Sequence, residues 1–306
     1  MAAMREGNFA AAWSVSDRVL TKPFNDNEFG KPRHLQRVWS GKSPAGKHVL
    51  VRCYHGLGDT IQFARFLPRL VDVAKAVTTW VQPQLLPLLE RQAGFGEFIP
   101  LHDGEPEVAF DVDIEIMELA HAFRVDPSEL GEVPYLGIGA FPERSRHQPQ
   151  RRRGREELHV GIVWRVGAWD HERSIPEALL DVLAAVDSVQ WHVLQQGMSA
   201  ARYDVRFGPP PASNDIVLTA RRMMELDLVI SVDSMPVHLA GALGIPVWVL
   251  LQHRADWRWQ DVREDSPWYP NVRVFRQQEQ GDWRDLLSRV ATELCSSYHA
   301  RNVVRL

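Results

Sequence analysis

The chain has 306 residues, more than one hydrophobic core usually supports, so two domains are expected. With 45% hydrophobic and 24% charged residues, it reads as globular rather than disordered or fibrous. Its formal net charge of -4 argues against a general nucleic-acid binder, yet leaves room for a local basic pocket that holds phosphates.

Residues 1–46 form an N-terminal segment, with helical composition from Glu6 to Leu20 and then a polar, proline-containing stretch from Thr21 to Gly46. One short helix cannot form its own core, so it must pack on something else or be the remnant of a longer array. No charged n-region followed by an apolar core opens the chain, and no apolar run nears the roughly 20 residues that span a bilayer. Peripheral membrane contact stays compatible with that. Cys53 and Cys295 are far apart and in unlike contexts, which fits two free thiols in a reducing compartment; the expected location is the cytoplasm.

From Lys47 onward strand and helix signals alternate. The β-branched run His48 to Tyr54 predicts a strand, and a glycine turn leads to a helix from Thr60 to Ala74. Further strands are expected at Val77 to Val81, around Phe98 to Leu101 and at Phe110 to Ile114, with helices near Pro83 to Gln92 and Glu115 to Phe123. The stretch 142–157 is arginine-rich without apolar period and reads as a solvated linker. The rhythm then restarts. Strands are expected at His159 to Trp164, Gln190 to Leu194, Asp227 to Val232 and Pro246 to Leu251. Helices fit Pro176 to Val186, Thr219 to Glu225, Pro236 to Leu243 and Trp283 to Cys295, while Pro209-Pro210-Pro211 must be loop. The expected architecture is α/β, with two Rossmann-like doubly wound parallel-sheet lobes at 47–141 and 158–280 facing a central cleft, and a C-terminal helix and tail at 281–306.

Four segments carry chemistry. His55-Gly56-Leu57-Gly58-Asp59-Thr60 joins a strand to a helix, where open parallel sheets bind ligands, and its glycines let backbone N–H groups approach a substrate. Asp59 reads equally as a helix cap or as a catalytic base. The two roles conflict, because a helix N-terminus favours the charged carboxylate whereas a general base profits from a raised pKa. His55 is the other candidate base, with an ordinary pKa suited to neutral pH.

Second, Ser231 to Gly244 reads as strand, turn and helix, with Ser234 at the N-cap and Pro236 in the first turn. The free N–H groups there suit a diphosphate, and Asp233 suits sugar hydroxyls or a ribose; its bland alternative is a second cap. Third, Arg165 and Arg173, in Trp164 to Pro176, could neutralise a departing nucleoside diphosphate without any metal; the alternative is two solvated surface arginines. Fourth, Trp257 and Trp268, within Asp256-Trp257-Arg258-Trp259 and Arg263 to Pro270, are candidates for stacking on a base or sugar, or for a hydrophobic plug. Asp111-Val112-Asp113 mimics a D-x-D metal motif but has no Gly-rich or His partner, so no metal and no cofactor is expected.

Gly56-Leu57-Gly58-Asp59-Thr60-Ile61-Gln62-Phe63-Ala64-Arg65-Phe66-Leu67-Pro68 resembles the first-lobe motif of bacterial glycosyltransferases related to the ADP-heptosyltransferases of lipopolysaccharide synthesis. Ser231-Val232-Asp233-Ser234 through His238 to Gly244 resembles their second-lobe motif. Arg173-Ser174-Ile175-Pro176 and the Asp256 to Trp259 and Arg263 to Pro270 segments look closer to a subgroup that carries tetratricopeptide repeats, and Glu6 to Trp13 is similar to its last repeat helix.

The resemblance covers about residues 5–294 and implies a GT-B fold and an inverting, metal-independent transfer. The donor it implies is a nucleotide-diphosphate sugar, the acceptor a carbohydrate or protein hydroxyl. It places Asp59 as the base, with Gly56, Gly58, Thr60 and Gln62 on the acceptor side. Arg165, Arg173, Ser174, Asp233, Ser234, Met235 and His238 fall on the donor side. The chain departs from the pattern in its missing repeats, in His55 where relatives often carry Gln or Glu, and in a short Val166 to Glu172 loop; the donor need not be ADP-heptose. The competing functions are a GT-B-like nucleotide-sugar epimerase and a degenerate, non-catalytic binding or scaffold protein. A nucleotide-dependent oxidoreductase fits less well, because the first turn lacks a full G-x-G-x-x-G.

Overall fold

The computed structural model describes residues 2–23, 30–130, 133–139, 157–167, 170–187, 189–196, 207–209, 211 and 213–303, with side chains as far as 296. It falls into two compact units, 1–139 and 140–306. The linker expected at 142–157 lies, up to 156, outside the described residues, as do Pro210, Ala168 and Trp169.

The first unit begins with α1 (Ala2–Arg5) and α2 (Phe9–Leu20) rather than one helix from Glu6. The break has a local cause: Gly7 takes φ +76, and Asn8 caps α2 by accepting the Ala11 N–H at 3.0 Å. As a lone helix must, α2 buries its apolar stripe elsewhere, through Phe9, Ala12 and Trp13. The Trp13 indole donates to the Val125 carbonyl at 2.9 Å and stacks on His121. Asp17 accepts from His121 Nε2 and from Arg124.

Next come β1 (His48–Arg52), α3 (Leu57–Phe63), α4 (Leu67–Val73), β2 (Ala76–Val81), α5 (Leu86–Leu89), β3 (Glu97–Pro100), β4 (Val112–Glu115) and α6 (Glu118–Ala122). The four strands are parallel in the order β3-β2-β1-β4. The helix expected from Thr60 starts earlier, at Leu57, and is divided by a tighter turn at Ala64–Phe66 where Pro68 opens α4. That earlier start places Asp59 inside the first turn of α3.

The second unit contains β5 (Leu158–Val163), α7 (Asp181–Ala184), β6 (Val189–Val193), α8 (Ile216–Met224), β7 (Leu228–Val232), α9 (Met235–Ala242), β8 (Val247–Leu251), β9 (Val272–Arg276) and α10 (Trp283–Val303). Its five parallel strands run β6-β5-β7-β8-β9. Every residue of β7 is buried, as expected of a central strand covered on both faces. The helix expected over Pro176 to Val186 is a 3-10 turn, Glu177–Leu179, followed by the short α7. Strand β9 was not expected; its alternating Val272-Arg273-Val274-Phe275-Arg276 completes the sheet beside β8. One core face joins Trp164, Leu183 and Phe207 to Leu286, Leu287 and Val290 of α10. On α9, a Cβ added to Gly241 would lie 2.6 Å from the Tyr269 ring, so glycine is what lets the ring pack flush on the helix.

Candidate functional site

Ligands of open parallel sheets bind beyond the carboxyl ends of the strands, where the strand order reverses. In the first sheet that point lies between β1 and β4, and in the second between β5 and β7. The first three sequence motifs fall at these two points, and the fourth follows β8.

After β1 the chain passes through Cys53 and Tyr54 to His55. Here the imidazole Nδ1 lies 3.0 Å from Glu115 Oε1, at the end of β4. Glu115 is buried, and its carboxylate also accepts the Tyr54 N–H at 3.3 Å and the Met117 N–H at 2.7 Å. Burial by itself lowers the His55 pKa, but Glu115, with smaller contributions from Asp59 and Glu118, outweighs it and leaves the group above its usual value. Glu118 stands behind Glu115, accepting the Glu115 and Trp39 N–H groups; burial pushes its carboxyl up to about 7. Neither glutamate was among the expected site residues, although Glu115 directly follows the strand expected at Phe110 to Ile114, at the kind of strand end where site residues gather.

Asp59 accepts the Gly56 N–H at 2.9 Å, so the capping half of its dual reading is realised. Glycine has no side chain to return the contact, which leaves the cap one-sided. Thr60 is fully buried and donates to Gln82, whose amide donates to the His55 carbonyl at 2.8 Å; this strut fixes the turn from behind. Of the residues expected on the acceptor side, Thr60 and Gln62 are fully buried, while Gly56 is exposed and Gly58 half-buried. Asp111 accepts the His48 N–H, and Asp113 takes the Arg52 guanidinium through both oxygens, so the D-x-D carboxylates serve the sheet.

In the second unit Asp233 follows β7 and is buried. Burial pushes its carboxyl up; the Arg173 and Arg258 guanidiniums oppose that, and Asp256 adds to it. Arg173 sits 3.4 Å from Asp233 and 2.7 Å from Asp170. Arg258, absent from the expected site, is buried and pairs with Asp256 at 3.3 Å. Arg165 instead leans out to Glu177 at 3.4 Å, which matches the bland alternative more than the functional one. Ser174 accepts the Val166 N–H, and Gln195 accepts those of Trp164 and Arg165, so the loop after β5 is tied down by two side chains.

Ser234 occupies the N-cap position of α9, but its hydroxyl donates to the Val232 carbonyl and caps nothing. The helix therefore starts beside half-buried Met235 without a side-chain cap, next to Asp233 and Arg173. His238 is buried, its Nδ1 on the Tyr269 hydroxyl at 3.0 Å and its ring stacked on Trp259. Its expected place on the donor becomes one of support beneath the turn. Trp257 and Trp268 are both buried and pack edge to face on one another at 5.8 Å. Among the described residues no group of three or more His, Cys, Asp or Glu could hold a metal ion, and no helix is long and apolar enough to cross a membrane.

No protein-family model matches the chain. Protein FlbA of Caulobacter vibrioides is 27% identical over 297 residues, taking in 84% of this chain and 48% of the relative. The chain thus spans about half the length of the curated relative it matches. Among solved structures, a glycosyl transferase family 9 protein from Veillonella parvula superimposes with TM-score 0.55 at 11% identity, covering 84% of this chain and 98% of that one. The chain has the GT-B fold.

Two further glycosyltransferase structures agree with this. TibC from enterotoxigenic E. coli, described as an iron-containing dodecameric glycosyltransferase, matches with TM-score 0.54 at 15% identity over 85% of this chain and 78% of its own. E. coli heptosyltransferase WaaC, solved with ADP-2-deoxy-2-fluoro heptose, matches with TM-score 0.51 at 13% identity over 83% of this chain and 99% of its own. These likenesses do not single out the repeat-bearing subgroup.

Proposed function

We propose that the chain is an inverting, metal-independent glycosyltransferase that moves a heptose-like or hexose sugar from a nucleoside-diphosphate donor to a carbohydrate or protein hydroxyl in the cytoplasm. The observation that carries this reading is the charged cluster at the start of α9, where Asp233 lies 3.4 Å from Arg173 and within the electrostatic reach of Arg258, beside a helix end with no side-chain cap. Pro236 has no N–H and the Val237 N–H donates to the Ser234 carbonyl, so the Met235 N–H and the two guanidiniums make up an anion site that needs no added cation. Asp233 is suited to sugar hydroxyls rather than to phosphate oxygens, since two acceptors repel. In the transfer, the acceptor oxygen bonds to the anomeric carbon as the bond to the diphosphate breaks. The electron pair leaves on the diphosphate, and the hydroxyl proton passes to a side chain of the His55 to Asp59 turn. The nucleotide-sugar complexes of WaaC and TibC support a donor of this class.

Release of nucleoside diphosphate from ADP-D-β-D-heptose, and from UDP- and GDP-hexoses, tests the proposal. The wild-type chain should consume at least one donor. Arg173→Ala should cut that rate by roughly 10–100-fold, the loss of one charge-assisted contact to the leaving group. A wild-type chain that consumes none of them, or an Arg173→Ala variant that matches it, would count against the assignment.

A further inference from the structure

Two side chains of the first turn can take a proton, and the structure treats them differently. Asp59 spends Oδ2 on the Gly56 N–H inside the first turn of α3. The His55 Nδ1 instead lies 3.0 Å from Oε1 of Glu115, a buried carboxylate on the neighbouring strand, whose end pairs in register with the end of β1 at Arg52. The Tyr54 and Met117 N–H groups pin that carboxylate from the backbone. A carboxylate held this way cannot follow the imidazole, so the imidazole must orient to it. The His55 carbonyl is fixed independently by the Gln82 amide. Both ends of His55 are therefore positioned, and Nε2 is the nitrogen left over.

We propose that Glu115 is the positioning residue that holds His55 by Nδ1–H and makes its Nε2 the base for the acceptor hydroxyl. The substrate in this statement rests on the glycosyl-transfer reading, whereas the pairing itself does not. The arrangement follows the general logic of a carboxylate that fixes the tautomer and stabilises the imidazolium formed on proton uptake. The hydroxyl proton moves to Nε2, the hydroxyl oxygen bonds to the anomeric carbon, and the diphosphate departs with the electron pair. Three acidic groups bear on the ring: Glu115 from β4, Asp59 from α3 and Glu118 from α6. All three favour the imidazolium and work against burial, so His55 stays protonated to a higher pH than usual. As a base it works above that pKa, and turnover should fall as pH drops through it.

The test reads His55 directly by heteronuclear NMR of the imidazole in the whole chain, which separates its titration from that of Glu118. In wild-type protein the neutral ring should be the Nδ1–H tautomer, with its pKa above the usual histidine value. In Glu115→Gln the pKa should drop. With water as acceptor, release of ADP from ADP-D-β-D-heptose should fall by about 100-fold or more in kcat, the donor KM should hold, and the acid limb of the pH profile should move to lower pH. An Nε2–H tautomer in wild-type protein overturns the proposal even if Glu115→Gln does not fold. So does a Glu115→Gln variant whose kcat falls while the His55 pKa and the acid limb stay in place. If the pairing appears as stated but wild-type protein consumes no nucleotide sugar, the transferase reading fails and the positioning of His55 stands.

Discussion

Glu118 and Asp233 occupy similar positions, one behind each strand-order reversal, and each is a carboxyl whose burial opposes its charge. They differ in what answers that cost. Asp233 has Arg173 and Arg258, so its charge has partners. Glu118 has only two backbone N–H groups against the neighbouring Glu115 and Asp113 charges, and its pKa rises from 4.5 to about 7. The sign of the linkage follows: the folded state binds the extra proton between those values, so stability is lost as pH rises from 4.5 towards 7 and stays lower above it. The shift corresponds to on the order of 3 kcal/mol at alkaline pH. Glu118→Gln keeps an acceptor for the Glu115 and Trp39 N–H groups without the charge. Urea unfolding should find it close to wild type at pH 5 and more stable than wild type at pH 8; equal stabilities at both would show that Glu118 carries no such penalty.

At the scale of elements, glycine separates two kinds of close packing. A Cβ added to Gly241 on α9 would lie 2.6 Å from the Tyr269 ring, and that ring is anchored by its hydroxyl on His238. A Cβ added to Gly161 on β5 would lie at the same 2.6 Å from the methyl ends of Leu194 and Leu226, and these can turn aside. Gly241→Ala should cost roughly 1–3 kcal/mol and Gly161→Ala distinctly less, read as the difference in melting temperature; the reverse order would mean that the Tyr269 ring is free to move.

Most of the strands and helices were legible because fully buried parallel strands read as continuous apolar runs and their connections begin with caps or glycines. What escaped was set by contacts distant in sequence. β9 is an edge strand whose alternation has no meaning until β8 lies beside it. The helix at Thr60 starts at Leu57 because Asp59 bonds back to Gly56. In the site, His55, Asp59, Arg173 and Asp233 were readable from their turns. Glu115 and Arg258 were not, because only folding brings them to those turns. Gln62 and His238 lay in the right motifs but turn inward, a choice made by packing.

For the whole molecule, the two sheets repeat one plan: four and five parallel strands, each reversing order once, each reversal holding a buried carboxylate beside a titratable or cationic partner. The fold is shared with glycosyltransferases at 11–15% identity. Sequence drift of that size leaves the chemistry to be argued from the side chains at those reversals. The second unit is the proposed nucleotide side, because its reversal carries Arg173 and Arg258 among Asp170, Asp233 and Asp256 beside the uncapped helix, whereas the first carries mainly acids around one histidine. The most direct test is thermal unfolding of the wild-type chain and of Arg173→Ala with ADP, UDP, GDP and CMP and their sugars. At least one nucleoside diphosphate should stabilise the wild-type chain, by about 2.7 kcal/mol at a hundredfold excess over Kd, and stabilise Arg173→Ala much less. No stabilisation by any nucleotide at millimolar concentration, or equal stabilisation of both proteins, would contradict a diphosphate site at the start of α9.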